Sequence, residues 1–166
     1  MLLEHIEGNL LDSHAQLICH QVNCQGKFGS GVAKAVLDKW PVVCYKYREF
    51  YEQKIKEGYS THDLLGTVQP VKVNHNQRVV NLFAQDKYGY DGKKYTSYDA
   101  LDTCLKKLKT YCLEKNIVSI AFPFKMSSDR GGAMWEVVIT LIISIFQDTD
   151  INIEIWKLKT DQTETS

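Results

Sequence analysis

Twice in this chain a hydrophobic run ends in a glycine-bearing turn and passes straight into a helical pattern. The first stretch is Ile18-Cys19-His20-Gln21-Val22-Asn23-Cys24-Gln25-Gly26-Lys27-Phe28-Gly29-Ser30-Gly31-Val32-Ala33, and the second runs from Phe122 through Lys125, Ser127, Ser128, Asp129, Arg130, Gly131 and Gly132 to Trp135. Strands that feed helices directly need sheet and helices in stacked layers, which predicts an α/β fold.

The remaining pattern agrees. Residues 2–6 and 15–23 read as two opening strands. From Gly31, the residues Val32, Ala33, Val36, Leu37 and Trp40 mark one buried helical face, interrupted at Pro41. Residues 66–73 and 78–85 read as a strand pair around a polar Asn74-His75-Asn76-Gln77 turn. Residues 88–95 read as a loop. Thr96 with Asp99 predicts a capping box for a helix carrying Leu101, Cys104, Leu105, Leu108 and Cys112. A strand over 117–124, a helix through Trp135, Val138, Ile139, Ile142 and Phe146, and an alternating strand over 151–158 complete the pattern. The expectation is one domain over residues 1–158, with 159–166 as a disordered tail.

Composition excludes several classes of function. Lysine plus arginine equals aspartate plus glutamate at 20 each, so no bulk positive field holds a nonspecific nucleic-acid binder to phosphate backbones. The apolar run around residues 137–146 is too short for a bilayer, and the opening residues show no basic n-region; the expectation is a cytoplasmic protein without membrane contact. Five cysteines without a CxxC pair read as buried thiols rather than a metal or disulfide framework. Tyr45, Tyr47, Phe50 and Tyr51 read as a packing face, and Lys106, Lys107 and Lys109 as a solvated one. A monomer is the default for such a chain.

The glycines carry the chemical signal. Gly26, Gly29 and Gly31 permit positive φ and close approach of backbone to a ligand, and a helix N-terminus with free amides suits phosphate. Two such turns facing one another would suit a diphosphate. The spacing GxxGxG is not the dinucleotide fingerprint, and no GxxxxGK[ST] occurs. On spacing alone, phosphate binding and tight structural turns both remain open.

The stretch Ile6-Glu7-Gly8-Asn9-Leu10, followed by Val22 through Ala33, resembles the opening strand and first ligand loop of macro domains. Asn81-Leu82-Phe83-Ala84-Gln85-Asp86 with Tyr95-Thr96-Ser97-Tyr98-Asp99-Ala100-Leu101, then Gly131-Gly132 with Trp135-Glu136, and Ile153 through Leu158, resemble later elements of the short phage and bacterial members in the same order. The resemblance implies a three-layer α/β/α fold with a central mixed β-sheet. It also implies ADP-ribose as ligand, without metal or cofactor, and hydrolysis of an ADP-ribosyl conjugate to release terminal ADP-ribose from an acceptor. The alternatives are a phosphatase acting on ADP-ribose 1″-phosphate and a noncatalytic ADP-ribose reader. Nucleic acid enters only as an ADP-ribosylated acceptor.

By position, the resemblance places Gly8, Asn9 and Leu10 at the adenine, where Asn9 stands for the family's usual aspartate, and Trp156 as a ring stacked nearby. Asn23 and Phe28 fall beside the distal ribose, Gly29, Ser30, Gly31 and Val32 at phosphate and ribose oxygens, and Ser127, Ser128, Asp129, Arg130, Gly131 and Gly132 over the diphosphate. Candidate catalytic groups are Asp86 and Lys87 at a strand end, Asp129 on the second loop, and His20, whose ordinary pKa lies near neutrality.

Overall fold

The computed structural model describes residues 1–29, 31–89, 94–128 and 131–159. Ser30, Asp129 and Arg130, residues 90–93 of the expected loop, and residues 160–166 of the expected tail lie outside the described residues.

The strands are β1 (Leu2–Glu7), β2 (Leu17–Asn23), β3 (Val68–Lys72), β4 (Arg78–Gln85), β5 (Ser119–Pro123) and β6 (Asn152–Lys157). The helices are α1 (Gly31–Lys39), α2 (Pro41–Lys56), α3 (Tyr98–Lys115) and α4 (Trp135–Phe146). Pro41 does more than end α1: it occupies the first turn of α2, where a missing N–H costs nothing. The cap of α3 lies one residue beyond the expected one. Ser97 accepts from Ala100 N, while Thr96 donates its hydroxyl to Ser127 O and joins two loops instead. The turn between β3 and β4 is held as expected by Asn74, whose Oδ1 accepts from Asn76 N.

One mixed sheet in the order β1-β6-β5-β2-β4-β3 forms the middle layer. The two opening strands do not pair with each other: β1 runs parallel to β6 at one edge, and β2 lies between β5 and β4. Only β3 runs antiparallel to its neighbour. Alternation along β2 splits the core in two. Leu17 and Cys19 pack with Leu101, Leu105 and Ile142 on the α3 and α4 face, whereas Ile18 and Val22 pack with Val36, Val43 and Tyr47 on the α1 and α2 face. This is the three-layer α/β/α arrangement. Among the described residues, no helix is long and apolar enough to cross a membrane.

All five cysteines are buried and unpaired. Burial pushes the thiols of Cys24, Cys104 and Cys112 up to about 12 and that of Cys19 well above its usual range. Ellman's reagent at pH 7 should therefore label essentially no thiol in the folded chain and all five after denaturation; rapid labelling of the native protein would contradict this packing.

Candidate functional site

The parallel strands carry their C-terminal ends to one side of the sheet, and a cavity of about 1040 Å³ opens there. Gln21 and Asn23 from β2, Gln85 from β4, Pro123 from β5 and Trp156 and Lys157 from β6 all line it. The two glycine-bearing loops close it from above. Gly29, Gly31 and Val32 line it from the first, and Ser127 and Gly131 from the second.

The first loop is tied down by its own residues. Asn23 Oδ1 accepts from Gln25 N at 2.9 Å, and its Nδ2 donates to Lys27 O at 2.8 Å. Tyr47, buried in α2, donates its hydroxyl to Asn23 O and Oδ1, and its burial pushes the phenol above its ordinary value. Gly31 begins α1 at φ +59°, with nothing within 4 Å of the place a Cβ would occupy, so the helix N-terminus meets the cavity bare. No residue of α4 lines the cavity. The second loop doubles back first: Gly131 O accepts from Tyr95 N and Thr96 N at 2.7 and 2.8 Å, and Met134 N is taken by Tyr98.

Beneath the second loop lies a closed polar network. Gln85 Nε2 donates to Lys87 O, so its Oε1 faces Gln21 Nε2 at 2.8 Å. Gln21 Nε2 also donates to Thr96 Oγ1, and Gln21 Oε1 takes the Ser127 hydroxyl hydrogen. Ser127 has spent its only hydrogen there, so toward the cavity its oxygen is an acceptor.

The charge of the cavity differs from that of the chain. Lys27, Lys125 and Lys157 line it, and no aspartate or glutamate does among the described residues. Lys125 sits at φ +58° and Ser127 at φ +72°, a sparsely populated backbone conformation for residues with side chains. The Lys125 and Lys157 ammonium groups lie 5.6 and 4.8 Å from the Phe124 ring centroid, which gathers both cations at this wall. Lys27, Lys125 and Lys157 were not anticipated as site residues, and for the last two the sequence carried a sign. Lys125 lies two residues past the end of β5 and Lys157 is the last residue of β6, and both strands point their C-terminal ends to the cavity.

Of the residues expected at the site, Asn9, Leu10, Asn23, Gly29, Gly31, Val32, Ser127, Gly131, Trp156 and His20 line the cavity. Gly8, Phe28, Ser128 and Gly132 do not. Gly8 lies under the Trp156 indole, and Phe28 is buried edge-on to His20 with ring centroids 5.3 Å apart. Asn9 Oδ1 caps a short 3-10 turn by accepting from Leu11 N at 2.9 Å. The Asp86 carboxylate accepts from Gln25 Nε2 at 2.8 Å and lies 3.9 Å from His62, and neither Asp86 nor Lys87 lines the cavity. His20 is 2% exposed, and burial lowers its pKa to about 4, so the imidazole is neutral at physiological pH.

No protein-family model matches the chain. The DNA ADP-ribosyl glycohydrolase of Mycobacterium tuberculosis is 27% identical over 146 residues, covering 88% of this chain; the chain spans 39% of that protein's length. The macrodomain of Mycobacterium tuberculosis DarG superimposes with a TM-score of 0.76 at 23% identity, over 93% of this chain and 97% of that one. Thermosipho africanus DarTG in complex with ADP-ribose gives 0.75 at 18% identity, over 94% of this chain and 41% of that one. The sheet order, the two loops and these superpositions agree on one conclusion: the chain has the macrodomain fold.

Proposed function

We propose that the cavity binds ADP-ribose and that the chain releases terminal ADP-ribose from an acceptor. The observation that carries the reading is the charge of the cavity: in a chain of zero net charge, three lysines and no carboxylate among the described residues line a pocket walled by two glycine-bearing loops. That lining favours a diphosphate. The bare N-terminus of α1 adds backbone donors, the Trp156 indole offers an aromatic face, and Asn9 and Leu10 adjoin it for a base. The similarity to a DNA ADP-ribosyl glycohydrolase supports the hydrolytic part and makes an ADP-ribosylated base one acceptor to assay.

A second reading, binding without turnover, is favoured by one observation: Asp86 and Lys87 do not line the cavity. His20 is the acid or base candidate that does, and Asp129 remains a candidate from the sequence. Turnover assays separate the readings. Release of ADP-ribose from DNA or from protein glutamate supports the glycohydrolase, release of orthophosphate from ADP-ribose 1″-phosphate supports a phosphatase, and tight binding without either leaves the reader.

Binding comes first. Calorimetric titration with ADP-ribose should show a single site in the natural chain. Gly31→Glu should weaken binding by a hundredfold or more, about 3 kcal/mol, by setting a carboxylate against the diphosphate. Gly31→Ala carries the same backbone strain at positive φ without the charge and should bind far better than Gly31→Glu. Absence of binding by the natural chain would end this reading.

A further inference from the structure

A chain of three side chains crosses the sheet from α2 to the cavity wall, and its polarity is fixed at one end. Gln69 of β3 donates through Nε2 to the Lys46 carbonyl at 3.0 Å, and a carbonyl can only accept. The Gln69 Oε1 is thereby turned toward β4, where it accepts from Asn81 Nδ2 at 3.0 Å. Asn81, fully buried, is thus oriented too: its Oδ1 faces His20 Nε2 at 2.6 Å on β2. An acceptor placed there requires the imidazole proton on Nε2. Nδ1 is left with a lone pair, buried and without a partner among the described residues, in a ring that forms part of the cavity wall.

We propose that Gln69 and Asn81 are positioning residues of the cavity: they hold His20 as its Nε2–H tautomer and so make Nδ1 the nitrogen that accepts a hydrogen bond from a hydroxyl of the bound ligand, once binding uncovers that buried atom. The Ser127 oxygen, turned acceptor by a separate run of amides anchored on the Lys87 carbonyl, has the same preference for donors. Two acceptors in one cavity suit the hydroxyls of a sugar, whereas the lysines suit its phosphates. The hydroxyl part rests on the ADP-ribose reading; the tautomer does not.

Gln69 does not line the cavity, and it sits partly exposed on the edge strand, so it tests the relay without touching the ligand. Long-range proton–nitrogen NMR of the ligand-free natural chain, with His20 assigned by its loss in His20→Gln, should show the proton on Nε2. Gln69→Lys replaces the acceptor by a pure donor. Asn81 should then turn over, present its amide hydrogens to Nε2, and drive the proton to Nδ1. Gln69→Glu keeps an acceptor toward Asn81 and should keep the natural tautomer. In calorimetry with ADP-ribose, Gln69→Lys should bind about tenfold more weakly, the loss of one hydrogen bond, and Gln69→Glu should bind as the natural chain does. A natural chain with the proton on Nδ1, or a Gln69→Lys variant unchanged in tautomer, overturns the relay. Equal weakening in both variants shows a structural effect and overturns the hydroxyl contact. If the natural chain fails to bind ADP-ribose, the hydroxyl contact falls with the proposed function, while the NMR result still decides the tautomer.

Discussion

Gly131→Ala should destabilise the chain by about 3 kcal/mol and remove ADP-ribose binding, although it adds a single methyl group. A Cβ at that position would lie 2.2 Å from Thr96 Oγ1, 2.5 Å from Ser127 O and 2.8 Å from Gln21 Nε2. None of these atoms is the free end of a flexible side chain. Ser127 O is backbone, and Thr96 and Gln21 are held by the polar network beneath the loop. Relief requires the loop to lift, and lifting breaks the bonds from Tyr95 N and Thr96 N to Gly131 O. Overpacking costs about 1–3 kcal/mol and each buried bond broken adds about 1 kcal/mol, which sets the figure. Urea unfolding measures the stability, and calorimetry the ligand. A variant with natural stability and natural affinity would show that the second loop is not anchored in this way.

The second large effect is one of pH. His20 is neutral and buried in the folded chain with its pKa lowered to about 4, whereas an exposed imidazole titrates near 6.5. Between those values the unfolded chain binds a proton that the folded chain refuses. Stability contributed by the neutral ring is therefore fully present above about pH 6.5 and lost as pH falls toward 4; the shift corresponds to about 3 kcal/mol. Carboxylates add their own acid sensitivity, so the informative quantity is the difference between the natural chain and His20→Gln, whose amide can still donate to Asn81 and carries no titrating proton. Unfolding free energies from denaturant titrations at pH 7 and pH 4 should show that difference shifting by about 3 kcal/mol toward the variant at the lower pH. Parallel curves would show that His20 is not a neutral core residue.

The helices α1, α3 and α4 were legible from their apolar faces, and the parallel strands from short apolar or β-prone runs between turn residues. Neither pattern revealed which strands are neighbours. β1 and β2 follow each other in sequence yet lie three strands apart in the sheet, an arrangement set by long-range packing with nothing local to mark it. The glycines of the first loop were legible because backbone needs at a strand-to-helix turn are local. Gln21, Gln85 and Thr96 were not, since a glutamine is chemically unremarkable until a neighbouring strand and two loops bring its partners within 3 Å. The same holds for His20: its place in an apolar strand was plain, whereas the relay through Asn81 and Gln69 depends on the register of β2 with β4 and of β4 with β3.

The pairing of the first strand with the last has a consequence for how the protein comes into being. Among the described residues, β6 is the only sheet neighbour of β1, with Leu2 opposite Asn152 and Glu7 opposite Lys157. On a ribosome, β1 emerges before the rest of the sheet and then waits for some 150 further residues, on the order of ten seconds of synthesis, with a bare strand edge exposed. Asn9, just after β1, and Trp156, in β6, share the same end of the cavity, so that wall does not exist until the final strand is delivered. Translation halted before residue 152 leaves a nascent chain whose sheet is open at that edge and whose pocket has one side missing.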